Sequence, residues 1–531
     1  MNNKVKALSN YLDQCKTRRS QWESDWRDIR ALVHVNANDF NSNIASHTVD
    51  IHDGTAPWAL EQFAAGLHSH ITNPSNRWFD LEVAGVPREL IDDWDTLEWL
   101  EDTASVIWSH FTSASAKLDQ TLHESYLDIG SFGTGIIYQQ WDVVSKTWVF
   151  MSCPLADCWI GEDSNGFIDT VFRVRRMNKF QILDKFGFEN TPKKIKDETD
   201  SSHCFDIYHC VKPRRRSNFE RVRNTNMPYE SSWFSPDLGH MFLESGFDQF
   251  PYYVTRWTKL AGQLYGRSPA HTCLPTIRMI NKTEKVILKG AEKMVDPPIQ
   301  LVSEGFLLPI HTVPSGLIFR EEGTDPAEPL LTGGRPDIGL EMQDQKREHI
   351  IKCFYVDWIL QQKNSTQMTA TEVMDRRDEK LRMMAPMTGR IESEMAGPMV
   401  KRSVIDAIKY NLVPPPPDFI LSRGLDVSYT SPANQAQRNA KNMNTRRFIE
   451  GIVPLADIKP DVLDAIDFDV FVQEQAKNSN SSPKIMRPPR EIAAIREQNA
   501  QKQNAQEGVA AAREAAGATK DMAQAQALLQ G

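Results

Sequence analysis

The sequence is poor in cysteine: its seven thiols stand scattered at positions 15, 153, 158, 204, 210, 273 and 353. A sparse, odd set of this kind excludes the disulfide framework of a small secreted domain, so reduced thiols are the default. Long apolar runs are also lacking. No stretch reaches the ~20 residues that a membrane-crossing helix needs, and the opening MNNKVKALSNYLDQ has no signal-peptide apolar core. The expectation is a chain that stays in the cytoplasm where it is made, with no membrane partner. Positive charge is in deficit, with 61 Lys and Arg against 70 Asp and Glu and a formal net charge of -9. That balance excludes a surface gripping DNA over most of its area, because such grip comes from cations neutralising phosphates. A DNA role then requires loose contact.

Catalytic signatures are missing as well. FGTG at 132–135 lacks GxGxxG or Walker spacing and the lysine that would hold phosphate, so it reads as a turn, and GxSxG, HExxH and DFG-like strings do not occur. Acidic pairs such as Asp92 and Asp93 lie on amphipathic segments where a solvated face explains them. No catalytic residue, metal ligand or cofactor is assigned.

What is present is a soluble, multi-part composition: 531 residues, 40% hydrophobic, 25% charged, with mean hydropathy -0.47. Leu8, Leu12, Cys15, Trp22, Trp26, Ile29 and Val33 recur at helical steps. Thr55 to Thr72 forms a second helical block, with Asp53 or Thr55 as cap, before a turn and strand at NPSNRWFDL. Two Trp-rich segments continue the helical pattern to the glycines at 130, 133 and 135. From about 136 to 260 the period becomes that of antiparallel β, in GIIYQQWDV, KTWVFMSCP, GFIDTVFRVRR, HCFDIYHCVK and FPYYVTRWTK, with one helix at NKFQILDKFG.

Two long helices follow, Ser268 to Met294 and Asp337 to Leu360, around a Pro/Gly-rich stretch read as a small β excursion. The polar string QQKNSTQM at 361–368 precedes TATEV, where Thr369 and Glu372 have capping-box spacing at the head of a long helical stretch to about Tyr410. Pro386 and Gly397-Pro398 should kink it, Pro414 to Pro417 should stop it, and a smaller helical region should follow to about 475. Beyond Asn478 the chain turns polar and Ala/Gln-rich, a mobile or helical tail.

In collinear order, DGTAPWALEQFAAGLHSHITNPSNRWFDL (53–81), DIGSFGTGIIY (128–138), GQLYGRSPAHTCLPTIRMINKTEK (262–285), VDPPIQL (295–301) and MTATEVMDRRDEK (368–380) resemble the podovirus-type head-to-tail connector, or portal, family of tailed phages. The resemblance covers most of the chain to about residue 475. It implies an α+β, mainly α, portal fold with wing, two-helix stem, small β clip and helical crown, assembled as a ring of about twelve copies. Carried onto this sequence, it implies a wing at 1–267, stem helices at 268–294 and 337–360, and a clip at 295–336. It further implies a tunnel loop at 361–368, a long kinked wing helix at 369–417, a crown at 418–477 and the tail at 478–531.

The function so implied is a non-enzymatic channel at one capsid vertex of the virion, for genome packaging, retention and ejection. Its partners would be double-stranded DNA, the terminase, the tail adaptor that replaces it, and the major capsid and scaffolding proteins. Lys346, Lys352, Gln362, Lys363, Asn364, Ser365 and Thr366 would line the channel, and Phe306, Leu307, Leu308 and Ile310 of the clip would meet terminase and adaptor. An acidic chain suits a conduit, since a wall of bound phosphates would make sliding a series of dissociations.

Other readings stand beside this one. His203, Cys204, His209 and Cys210, with Cys153 and Cys158, would be the zinc site of a metal-dependent nuclease or hydrolase, although the spacing fits no standard finger and strand alternation separates His203 from Cys204. The plainer reading is a half-buried strand. KPRRRSNFERVRN at 212–224 is either a nucleic-acid patch or a basic segment paired with acidic neighbours, the second being favoured. QQKNSTQM is either a simple connector or a loop of uncharged polar groups that touch phosphate without clamping it. A third class is a monomeric tail or adaptor protein.

Overall fold

The computed structural model describes residues 3–35, 51–86, 93–200, 202–214, 226–295, 299–300, 328–329, 336–359 and 386–429, with short helical pieces at 472, 491–492, 494–499 and 501–502. In chain order the elements are α1 (Asn3–Leu32), α2 (Thr55–Ile71), β1 (Phe79–Val83), α3 (Trp94–Phe111), α4 (Leu118–Phe132), β2 (Thr134–Asp142), β3 (Thr147–Ser152), β4 (Cys158–Glu162), β5 (Ile168–Asn178), α5 (Lys179–Phe186), α6 (Lys193–Lys196), β6 (Cys204–Pro213), β7 (Tyr229–Ser235), β8 (His240–Phe247) and β9 (Tyr252–Arg256). Then come α7 (Pro269–Val295), β10 (Ile299–Gln300), β11 (Glu328–Pro329), α8 (Pro336–Cys353), α9 (Val356–Ile359), helices at Gly397–Lys409 and Asp418–Arg423, and β12 (Leu425–Tyr429). Among the described residues no helix is long and apolar enough to cross a membrane.

The chain divides into two compact units, Met1–Trp78 with Ile107–Ile405, and Phe79–Val106 with Asp406–Gly531. In the first unit, the apolar stripe of α1 is buried. Val5, Leu8, Leu12 and Cys15 lie on Trp159, Phe172, Cys210 and Phe234, one face of a five-stranded antiparallel sheet. Arg19 is buried in the same helix because it is fully used: Nη1 donates to the carbonyls of Leu155 (3.1 Å), Ala156 (3.0 Å) and Cys158 (2.8 Å), while Nε donates to Glu23.

The five strands run in the order β4-β5-β6-β7-β8, and a second sheet is ordered β3-β2-β9. Sequence alternation locates β2, β3, β5, β6 and β9, while β4, β7 and β8 were not separated from their surroundings. The helix read at NKFQILDKFG is α5, started by a capping box between Asn178 and Gln181.

The second unit holds a pairing with no sequence signal. β1 runs antiparallel to β12, from Phe79↔Tyr429 to Val83↔Leu425, so residues 425–429, read as part of a helical region, are strand. Trp99 of α3 donates its indole N–H to the Pro414 carbonyl (2.9 Å), tying the proline run to the helix in the same unit.

Candidate functional site

The site that the sequence singles out is the helix pair bracketing residues 295–336. α7 and α8 lie antiparallel: Thr276 Oγ1 is 3.5 Å from His349 Nδ1, Glu284 accepts from Gln343 Nε2 at 2.5 Å, and the Cys273 and Cys353 side chains are neighbours across the pair. At ~1.5 Å per residue the 27-residue α7 is about 40 Å long. Beyond the ends of the pair, Ile299↔Pro329 and Gln300↔Glu328 form a short antiparallel ladder that closes the base of the intervening segment, where a small β excursion is expected.

The start of α7 is specified locally. Ser268 is its cap: the hydroxyl accepts from the His271 amide (3.1 Å) and donates to the Ser131 carbonyl (2.6 Å), Pro269 occupies the first helical position, and the Ser268 amide donates back to His271 Nδ1 (3.3 Å). Burial, aided by the Arg267 charge and opposed by Asp25, holds the His271 imidazole down at about 4, so it is neutral at physiological pH. Ala270, Cys273, Leu274, Ile277 and Ile280 bury the first half of the helix.

Two of the motifs that carry the family resemblance meet at this root. Gly133, at the end of DIGSFG, has φ +80°, and an added Cβ would stand 2.4 Å from the Gly266 carbonyl oxygen. Gly266, in LYGRSPAH, would place its own Cβ 2.2 Å from the Gly133 oxygen. The backbones touch because both residues lack a side chain. The Trp257 amide donates to the Gly133 carbonyl (3.0 Å) and the Gly266 amide to Thr134 Oγ1 (3.0 Å), which satisfies the groups so enclosed. FGTG is thus a helix-to-strand turn, as its spacing indicates.

A third motif is fastened to α8. Asp53 of DGTAPW accepts from the Thr55 amide (2.9 Å) and from Arg347 Nε (2.8 Å). Burial opposes its ionisation, but the Thr55 hydroxyl and amide and the Arg347 guanidinium outweigh that and hold the carboxyl below the usual carboxylate range. Arg347 also reaches Asp344 (3.2 Å) and Glu284 (3.6 Å).

The expected helix from Asp337 to Leu360 is interrupted. α8 ends at Cys353, Tyr355 takes φ +57°, and a new turn, α9, begins at Val356. Phe354 and Val356 are both fully buried, Phe354 edge-on to Phe63 of α2, so burial of two apolar side chains outweighs one left-handed residue.

Of the residues expected to line a channel, Lys346 is half-buried on α8, and Lys352 is exposed and ion-paired with Glu348 at 2.7 Å. Gln362, Lys363, Asn364, Ser365 and Thr366, and the clip residues Phe306, Leu307, Leu308 and Ile310, lie outside the described residues. Of the basic segment, Arg214 is described and is consumed within the unit, donating to the Met227 and Ser245 carbonyls and to Glu244 (3.4 Å).

The His/Cys strings are not brought together as ligands. His209 is buried between Tyr252 Oη (2.7 Å) and Ser231 Oγ (2.9 Å) and stacks on Trp233, whereas Cys210 faces α1 and His203 and Cys204 are exposed. Among the described residues no group of three or more His, Cys, Asp or Glu is placed to hold a metal ion. The strand reading of HCFDIYHC is the one the structure bears out.

Contacts that the sequence did not reveal include the Arg256–Glu394 pair, whose partners stand 138 residues apart. Nothing in local spacing could have found it.

Paired long helices rooted by a glycine contact and the half-buried Asp53–Arg347 ion pair define a structural scaffold. The chain belongs to the family of bacteriophage head to tail connecting proteins, whose model matches residues 5–486. It is 29% identical over 518 residues to the "Probable portal protein" of Bordetella phage BPP-1, covering 94% of this chain and 92% of that one. It is 26% identical over 542 residues to the "Portal protein" of Salmonella phage epsilon15, covering 98% and 95%. A solved structure titled "Virion of native gene transfer agent (GTA) particle" aligns at 9% identity and TM-score 0.35, over 73% of this chain and 84% of that one. The chain is a portal subunit, a structural component of the virion.

Proposed function

We propose that copies of this chain close into a ring of about twelve around a channel for double-stranded DNA at one capsid vertex. The observation that carries this reading is the antiparallel α7–α8 pair, fixed at its root by the Gly133–Gly266 contact and the Asp53–Arg347 pair, with the β10–β11 ladder beyond its ends. Helices held this firmly supply a wall, and the segment between them is the clip, with Phe306, Leu307, Leu308 and Ile310 meeting terminase during packaging and the tail adaptor afterward. The loop at 361–368, with Gln362, Lys363, Asn364, Ser365 and Thr366, faces the channel, and Lys346 and Lys352 lie at its approach. The wing contacts capsid and scaffolding proteins. The terminase supplies the energy, and the ring supplies geometry and electrostatics.

The acidic balance supports a conduit, because a net charge of -9 per subunit disfavours a phosphate-coated wall that would stall the duplex. Native mass spectrometry with negative-stain imaging tests the reading. A closed ring of about twelve subunits with a central opening is expected. A stable monomer at high concentration would sink it and favour a tail or adaptor role.

A further inference from the structure

On α7, Arg278, Lys282, Lys285, Lys289 and Lys293 follow one another at steps of four, three, four and four, which keeps them on a single face of the helix over about 22 Å. All five are exposed. Arg278 binds Asp25 and Asp28, but the four lysines make no ion pair or hydrogen bond among the described residues. Like charges at i,i+3 and i,i+4 work against the helix that carries them, so the row calls for an anionic partner.

The sequence of α8 holds the complement. Asp337, Glu341, Asp344 and Glu348 recur at four, three and four, the same pitch with the opposite sign. Asp344 and Glu348 are exposed and, among the described residues, are answered by neighbours on their own helix, Arg347 and Lys352. Exposed pairs of that kind are weak and readily exchanged. The two rows also match in height. Counting from the contacts Thr276–His349 and Glu284–Gln343, Arg278 is level with Glu348 and Lys282 with Asp344, and the shared spacing continues the match in the sequence from Lys285 and Lys289 to Glu341 and Asp337.

From this we infer that the lysine row of α7 in one subunit docks on the acidic row of α8 in the next copy of this chain, forming a charge ladder that joins successive subunits. The inference rests on the ring reading above. Copies related by rotation about a common axis stand at the same height, so residues level within one chain are level between neighbours when the helices run along that axis. A heterologous contact of one face with a different face is also the kind that closes a ring. DNA phosphates would satisfy the lysines as well, but they would leave the matching pitch and height of the acidic row without a role.

The test compares the full-length protein with K285E/K289E, with E341K/D344K, and with the fourfold combination, by native mass spectrometry across a salt series. Each double reversal is expected to open the ring at about two- to threefold lower salt than the unaltered chain requires, and the combination to restore it. Rings of unchanged salt tolerance in both double variants would overturn the ladder, and so would reversals that leave the ring closed while abolishing DNA retention, since the row would then be a phosphate face. Failure of the unaltered chain to close would reject the ring reading itself. Should a reversal impair folding, oxidised K282C/D344C decides: a covalent ladder of oligomers, absent from either single variant, is expected, and no cross-link or an intrachain one overturns the proposal.

Discussion

Arg256 grips Glu394 with its side chain and its backbone together. Nη2 donates to Oε1 at 2.6 Å and Nε to the same oxygen at 3.1 Å, while the Arg256 amide donates to Oε2 at 2.9 Å. The arginine also reaches Glu162 (3.4 Å) and the Gly166 carbonyl (3.1 Å), so each of its nitrogens is used although it is only 3% exposed. The pair fastens the turn Glu392–Ala396 to the end of β9.

Breaking one side of such a pair costs more than the pair contributes, because the survivor keeps its desolvation penalty. Glu394→Ala is therefore expected to destabilise the first unit by about 3–5 kcal/mol, and replacing both partners with apolar residues of similar volume by much less. Chemical denaturation of the single and double variants checks this. An E394A variant as stable as the unaltered chain would show that the pair is dispensable.

Gly133 and Gly266 predict a steep local intolerance. A Cβ on either stands 2.2–2.4 Å from a backbone oxygen, which no rotamer change relieves. Gly133→Ala and Gly266→Ala should each cost several kcal/mol, on the order of the larger core substitutions. Gly187 has φ +78° and nothing within 4 Å, so Gly187→Ala should cost only the ~1 kcal/mol of a strained left-handed alanine. Thermal unfolding of the three variants orders them, and equal losses would remove close contact as the cause.

These glycines mark where the sequence was legible. The helical stripes of α1 and α7, the alternation of β2, β5 and β6, and the short helix α5 are patterns within one element, set by local geometry. The β1–β12 pairing joins residues some 350 positions apart, and Arg256–Glu394 joins residues 138 apart, so neither leaves a local trace. The end of α8 was misjudged because Ile350, Ile351, Phe354, Tyr355, Trp358 and Ile359 read as one helical face, whereas the burial of Phe354 and Val356 turns the chain at Tyr355. The matching rows of α7 and α8 were in the sequence as spacing. Only the contacts between the two helices give their relative height.

Acid should weaken the first unit through histidine. Burial, with Lys185, Arg173 and Arg175 nearby, drives His209 well below its ordinary range, and burial holds His271 at about 4. Both imidazoles are neutral when folded and would take a proton near pH 6.5 when unfolded. Their contribution is therefore fully present above that pH and is lost as the pH falls through about 6.5 toward 4, by up to about 1.4 kcal/mol per pH unit for each group. His271→Gln should cut the slope of stability against pH over this window by about half of the two-histidine total. An unchanged slope would mean that His271 is already charged in the fold.

Cys353 should be the thiol that reacts first. It is half-exposed at the end of α8, and the hydrogen bond from Cys273, working against partial burial, draws its pKa down to about 7, while the same contact together with burial pushes Cys273 well above the usual thiol range. The His349 ring stands 3.8 Å away and gives the sulfur a second polar neighbour. Near pH 7.5 most of Cys353 is then thiolate, against roughly a tenth of an ordinary thiol with pKa ~8.5. Cys15 is held at about 11 by burial, and Cys210 is pushed up further by the same cause. Limited iodoacetamide labelling followed by peptide mass mapping is expected to find Cys353 modified well ahead of Cys15 and Cys210, and Cys273→Ala to slow it by removing the donor that stabilises the thiolate. Labelling of Cys353 at the rate of an ordinary thiol, unmoved by that substitution, would show that the two sulfurs on the facing helices do not share a proton.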